Sequence, residues 1–162
     1  MYLVRFFSSA LLLFSCLANA ATLQGKVVGV ADGDTVTVLD AQNVQHKIRL
    51  QGIDAPEKAQ SFGQKSKQSL HEMAHGKQVT VEYQKKDKYG RTVGTVFVNN
   101  IDVCLEQIKR GMAWHYKQYA NEQSKEDREI YANAEAVAQT QAVGLWKDKS
   151  PVPPWEFRRQ SK

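Results

Sequence analysis

Five side chains of reactive type fall in three short stretches. Asp34 closes the turn Ala31-Asp32-Gly33-Asp34, Arg49, Asp54 and Glu57 crowd between Ile48 and Glu57, and Arg91 ends the polar connection Lys85-Lys86-Asp87-Lys88-Tyr89-Gly90-Arg91. Two carboxylates joined by a backbone carbonyl and water hold a hard cation through oxygen, which suits Ca²⁺ or Mg²⁺ and not zinc. A third carboxylate nearby can activate water. Two guanidinium groups offer planar forks for a phosphate whose charge grows in a transition state. The set fits hydrolysis of a phosphodiester.

These residues meet only if the intervening chain folds back on itself, and the hydrophobic pattern supplies the means. Thr22 to Val30 and Thr35 to Leu39 are β-branched runs around the Asp-Gly-Asp turn, which reads as a hairpin. After Asp40 to Asn43, a third run puts Val44, Ile48 and Leu50 on one face and Lys47, Arg49 and Gln51 on the other, so Arg49 takes a polar face. Gln60 to His75 reads as a helix ended by Gly76, Val79, Val81 and Tyr83 alternate in a fourth strand, and Val93 to Val98 form a fifth. Gly90 allows a tight turn between the last two. Ile101, Cys104, Leu105, Ile108 and Met112 recur at helical spacing, and Ser124-Lys125-Glu126-Asp127 opens a longer helix with a capping-box pattern. Strands with interspersed helices predict an α+β fold built on a small closed barrel.

The chain has 162 residues, 42% of them hydrophobic, which fits one globular domain and argues against disorder, collagen or coiled coil. A formal net charge of +5 favours polyanionic partners without proving them. Arg5, the apolar run Phe6 to Leu17 and Ala18-Asn19-Ala20 read as a secretory signal peptide over 1–20, so the chain is expected to be exported, to periplasm or medium, and then soluble. Leu13-Phe14-Ser15-Cys16 also resembles a lipoprotein cleavage box, but bulky Phe14 favours simple cleavage after Ala20. That leaves one thiol, Cys104, in the domain proper, so no intrachain disulfide is expected there. The domain is expected over 21–147. From 148 to 162, Ser150-Pro151-Val152-Pro153-Pro154 and the basic Arg158, Arg159 and Lys162 predict an extended Pro-rich tail.

Ala31-Asp32-Gly33-Asp34-Thr35-Val36, Ile48-Arg49-Leu50 through Ile53-Asp54-Ala55-Pro56-Glu57, and Asp87-Lys88-Tyr89-Gly90-Arg91 together resemble the staphylococcal nuclease-like, or thermonuclease, family. The resemblance continues through Arg110-Gly111-Met112-Ala113 and Gly144-Leu145-Trp146, in the family's order. It implies a five-stranded oligonucleotide-binding (OB-fold) barrel with three helices and a Ca²⁺-dependent nuclease acting on DNA and RNA, leaving 3′-phosphate ends. It also implies Glu57 as general base on water, Arg49 and Arg91 on the phosphate, and Asp34, Asp54 and the Ala55 carbonyl on calcium, where the family often has Thr in place of Ala55. Lys88 and Tyr89 would approach a terminal phosphate, and Tyr119 would pack on the nucleotide. The segment Lys58 to Lys65 is shorter than the long loop of the family's best-known member, and Trp114 to Tyr119 matches the family only at its end.

Each piece has a plainer reading. An Asp-Gly-Asp turn commonly serves its own hydrogen bonds, Asp54 to Glu57 could begin a helix, Arg49 could pair structurally with Glu57, and a lysine-rich loop is often only solvated. Their joint occurrence favours an exported Ca²⁺-dependent nuclease, expected to be monomeric and without stable membrane association. The rival is a non-catalytic nucleic-acid-binding barrel. His71-Glu72-Met73-Ala74-His75 satisfies a zinc-peptidase pattern, yet both imidazoles lie away from the apolar face and no third ligand follows, so exposed helix residues are expected. Cys104, on an apolar face, is expected to be buried and inert, and Trp146 to pack the last helix on the barrel.

Overall fold

The computed structural model describes residues 21–160; the expected signal peptide, with Cys16, lies outside the described residues. Strand β1 (Ala21–Val30) is long enough to serve two partners. Its first half pairs with β5 (Gln78–Lys86), from Ala21 opposite Tyr83 to Lys26 opposite Gln78, and its second half with β2 (Thr35–Leu39). The register shifts between Val27 and Gly29, and such a bulge bends a strand so that it can turn the corner of a barrel. Strand β3 (Gln45–Leu50) runs antiparallel to β2 and parallel to β6 (Thr92–Val98), which itself pairs with β5. The β3–β6 pairing closes a five-stranded barrel, as the sequence predicts.

Two-residue strands extend this frame. Asn99 and Asn100, both at positive φ, make the two-residue turn that folds β7 (Ile101–Asp102) onto β6. Outside the barrel, β4 (Ile53–Asp54) pairs antiparallel with β8 (Trp114–His115). The barrel interior is filled by Val27, Val36, Val38, Ile48, Leu50, Val81 and Val96. Leu70 of α1 (Gly63–Ala74), Val103 and Ile108 of α2 (Val103–Lys109), and Tyr131 of α3 (Lys125–Thr140) belong to the same core. Among the described residues, no helix is long and apolar enough to cross a membrane.

Several local expectations change. Val44 is 50% exposed, not inward, because its amide binds the Asp40 carboxylate in the turn before β3 begins. Helix α1 starts at Gly63, not Gln60, since Phe62 sits in the left-handed region and breaks the helical path. Ile101 belongs to β7; Asp102 then caps α2 by accepting from the amides of Cys104 and Leu105 at 2.8 and 3.1 Å. Ser124 caps α3 as expected, accepting from the amide of Asp127. The largest difference is at the C-terminus: in place of an extended tail, Pro154–Gln160 forms a fourth helix, α4. Pro154 opens it, where a missing N–H costs nothing. Trp155 fixes it in place, stacking on Tyr116 with centroids 5.5 Å apart and meeting Trp114 edge-on at 5.7 Å.

Candidate active site

A cleft of about 700 Å³ is lined by Asp34, Arg49, Asp54, Ala55, Glu57, Lys88, Tyr89, Arg91 and Tyr119. All the residues that the sequence singles out as a site are therefore on one cavity wall. They arrive from several elements, with Lys88, Tyr89 and Arg91 sharing the β5–β6 loop. Asp34 ends the β1–β2 turn, held because Gln107 of α2 donates Nε2 to the Gly33 carbonyl at 2.7 Å, while the Asp34 carbonyl accepts from the Leu50 amide. Gly33 is required there: a Cβ would lie 1.9 Å from the Ser66 hydroxyl of α1. Asp54 is fixed by the pairing of β4 with β8.

Glu57 lies on the loop between β4 and α1, and its place is set by backbone packing. The first residue of α1, Gly63, approaches so closely that a Cβ would stand 1.9 Å from the Glu57 carbonyl oxygen. Gln60 accepts from the Glu57 amide and donates to the Val152 carbonyl, tying the loop to the C-terminal segment.

Arg49 is the keystone of the acidic pair. Its Nη1 donates to the carbonyls of Leu50 and Ile53, both at 2.9 Å, and its Nη2 reaches Asp54 Oδ1 at 3.0 Å and Asp34 Oδ2 at 3.2 Å. Arg49 thus pairs with the two aspartates and not with Glu57. Burial raises the Asp34 carboxyl, Arg49 lowers it, and the neighbouring charges of Asp32 and Asp54 raise it again, with the net result that it is pushed up to about 7.

Arg91 is gripped through Nε by the Asp87 carboxylate at 2.7 Å, and that carboxylate also caps the loop by accepting from the amides of Tyr89 and Arg91. Burial works against its charge, but the Arg91 side chain and these amides hold the Asp87 carboxyl below its ordinary value. Lys88 and Tyr89 stand at the exposed rim, with Tyr89 72% exposed and Arg91 Cζ 5.6 Å from its ring centroid. Tyr119, 45% exposed, meets Tyr116 edge-on at 4.9 Å. Lys85, also at the cleft, is paired with Glu122.

The donor set suits a hard cation in part. Two carboxylates, Asp34 and Asp54, are linked through one guanidinium, and the Ala55 peptide lies beside them, its amide donating to Asp34 Oδ2 at 2.8 Å. These are oxygen donors for Ca²⁺ or Mg²⁺. Among the described residues no three His, Cys, Asp or Glu side chains converge as a metal cage, so a cation held here would need water to complete its shell. His71 and His75 are exposed on α1 and stacked at 4.2 Å, and among the described residues no third His, Cys, Asp or Glu joins them. Cys104 is fully buried, and burial followed by the nearby Asp102 pushes its thiol well up, away from reactivity. Trp146, in a short 3₁₀ turn, packs edge-on against Trp114 of β8.

One residue of the cleft was missed. Arg158 of α4 donates Nη2 to Asp54 Oδ2 at 2.7 Å and Nη1 to Glu57 Oε1 at 2.8 Å and Asp54 Oδ1 at 3.2 Å. Partial burial opposes its charge, but the bonds to Asp54 and Glu57 outweigh that and raise its pKa. The clue in the sequence was Trp155 and Phe157 beside the basic residues: a solvated tail has no use for two large aromatics, whereas a docked helix does.

Known proteins resemble this chain over most of its length. An uncharacterized endonuclease of Haemophilus influenzae is 41% identical over 157 residues, covering 96% of this chain and 85% of its own. A micrococcal nuclease of Shigella flexneri is 34% identical over 171 residues, covering 98% and 94%. Protein ParB of Escherichia coli is 39% identical over 153 residues, covering 87% and 82%. Residues 47–148 match the family described as staphylococcal nuclease homologue, and with the closed barrel and the order of its motifs the chain belongs to that family.

Proposed function

We propose that this protein is an exported, Ca²⁺-dependent nuclease that hydrolyses phosphodiester bonds in DNA and RNA with little sequence preference. The observation that carries the reading is the convergence of Asp34, Arg49, Asp54, Glu57 and Arg91 on one open cleft from separate elements. The relatives named as endonuclease and micrococcal nuclease support the reaction class.

In this reading Asp34, Asp54 and the Ala55 carbonyl hold the calcium, which when bound would polarise a phosphate oxygen. Glu57 orders a water molecule and accepts its proton as the water oxygen bonds to phosphorus. The bond from phosphorus to one ester oxygen breaks, and the departing oxygen takes a proton from solvent. Arg91, oriented by Asp87, donates to the phosphate oxygens as their charge grows, which counts most in the transition state. Arg49 braces the two aspartates and lends its charge to the same phosphate. Lys88 and Tyr89 meet a more distant phosphate, and Tyr119 offers its ring to a base, a contact indifferent to sequence.

The test is cleavage of denatured DNA by the purified protein with Ca²⁺ and then with a calcium-selective chelator. Cleavage lost on chelation and restored by Ca²⁺ is expected. DNA that is bound but cut under neither condition would favour the non-catalytic barrel. Export is tested separately by the N-terminal sequence of the protein recovered outside the cytoplasm, which should begin at Ala21.

A further inference from the structure

The carboxylates read as cation and water ligands are already engaged by a cation of the chain's own. Asp54 is 1% exposed, and both of its oxygens face guanidinium groups: Oδ1 receives Arg49 Nη2 and Arg158 Nη1, while Oδ2 receives Arg158 Nη2. Glu57 receives the other arm of the same Arg158 fork. The two arginines differ in how they are held. Arg49 projects from a central barrel strand and is bonded to two backbone carbonyls, so it is built in. Arg158 comes from a seven-residue helix at the end of the described chain, held to Tyr116 and Trp114 by the Trp155 ring, and its side chain is 41% exposed. It can leave.

A divalent ion on Asp54 and the Arg158 guanidinium on the same carboxylate would stand within a few ångströms of each other, at like charge and in a partly desolvated site, where repulsion is strong. Both cannot keep the full set of contacts. We propose that Arg158 is a tethered counter-ion: it covers Asp54 and Glu57 in the cation-free protein, a divalent cation must displace it, and the C-terminal helix thereby tunes cation affinity. The inference rests on the reading that Asp54 helps hold calcium. It gives α4 a function, as the element that keeps two carboxylates neutralised and ordered when no metal is present.

The experiment is calorimetric titration of CaCl₂ into the purified protein without nucleic acid, comparing wild type with Arg158→Ala and Arg158→Gln, with far-UV circular dichroism confirming the fold of each. Removing the competitor should tighten Ca²⁺ binding by roughly fivefold to a hundredfold, the range of ordinary coupling between two sites. Arg158→Lys, which keeps the charge but lacks the fork, should fall between. Wild-type binding with equal or weaker affinity in folded Arg158→Ala and Arg158→Gln would overturn the proposal, and weaker affinity would make Arg158 a support for the ligands. Failure of every protein to bind Ca²⁺ would instead remove the calcium reading, and the competition with it.

Discussion

At the scale of single residues the site divides into groups that act on the reacting phosphate and groups that only bring the substrate near. Glu57 is in the first class, and its side chain keeps hydrogen-bonding capacity as glutamine while losing its basicity. Glu57→Gln should therefore lower kcat by roughly 10² to 10⁴ with the circular dichroism spectrum unchanged, as removal of a general base does. Steady-state cleavage of a short labelled oligonucleotide measures it, and unaltered turnover would sink the assignment. Arg91 and Lys88 lie three residues apart on one loop yet differ in kind. Asp87 orients the Arg91 guanidinium through Nε, whereas Lys88 is an exposed side chain whose ammonium lies 5.1 Å from the Tyr89 ring centroid. Arg91→Ala should cost about 10² to 10³ in kcat/KM, the scale of one lost transition-state donor, and Lys88→Ala less than about tenfold. A reversed order would mean that the two roles are exchanged. The aromatics beside Arg158 hint at a docked helix, but its partners are not legible, because a side chain that acts through carboxylates about a hundred residues away leaves no local spacing to read.

At the scale of elements the site depends on helix α2, whose Gln107 holds the Asp34 turn and whose N-terminus is capped by Asp102. Burial pushes the Asp102 carboxyl above its ordinary value, against the Tyr131 hydroxyl and the capping amides, which lower it. An acid raised on folding is ionised more easily in the unfolded chain. Its contribution to stability is therefore full below the unfolded value of 3.8 and is lost as pH rises through the raised folded value. Asp102→Asn can keep both the cap and a hydrogen bond to Tyr131 without titrating. Urea denaturation across that window should show wild type losing ground to Asp102→Asn as pH rises; a constant difference between the two would refute the assignment. Element boundaries were the part of the fold least legible in advance. The barrel strands follow from alternation of Val, Ile and Thr, but the start of α1 was set by the left-handed Phe62 and by Gly63 fitting against the Glu57 backbone, which are facts of packing. Helix α4 was harder to read for a related reason: three prolines and a run of basic residues describe an extended tail until Trp155 finds Tyr116 and Trp114.

At the scale of the whole molecule a basic chain presents an open cleft to a polyanion, so binding should be governed by counterion release. Raising NaCl from 50 to 200 mM should increase KM for single-stranded DNA by roughly tenfold to twentyfold if about three phosphates are neutralised, with kcat changing far less. A flat KM would show that the basic rim does not contact the strand. What the sequence by itself determined is the chemistry and the scaffold: strand periodicity specified a closed barrel, and the order of Asp34, Arg49, Asp54, Glu57 and Arg91 specified the groups brought to it. These are legible because a period of two and a motif of a few residues are local properties of the chain. What only the tertiary structure decided is which charges meet. Arg49 turned to Asp34 and Asp54 and not to Glu57, Asp87 took hold of Arg91, Lys85 went to Glu122, and Arg158 came back from the C-terminus to cover Asp54 and Glu57. Ion pairing depends on distance and burial, and neither exists until the barrel has closed and the last helix has docked.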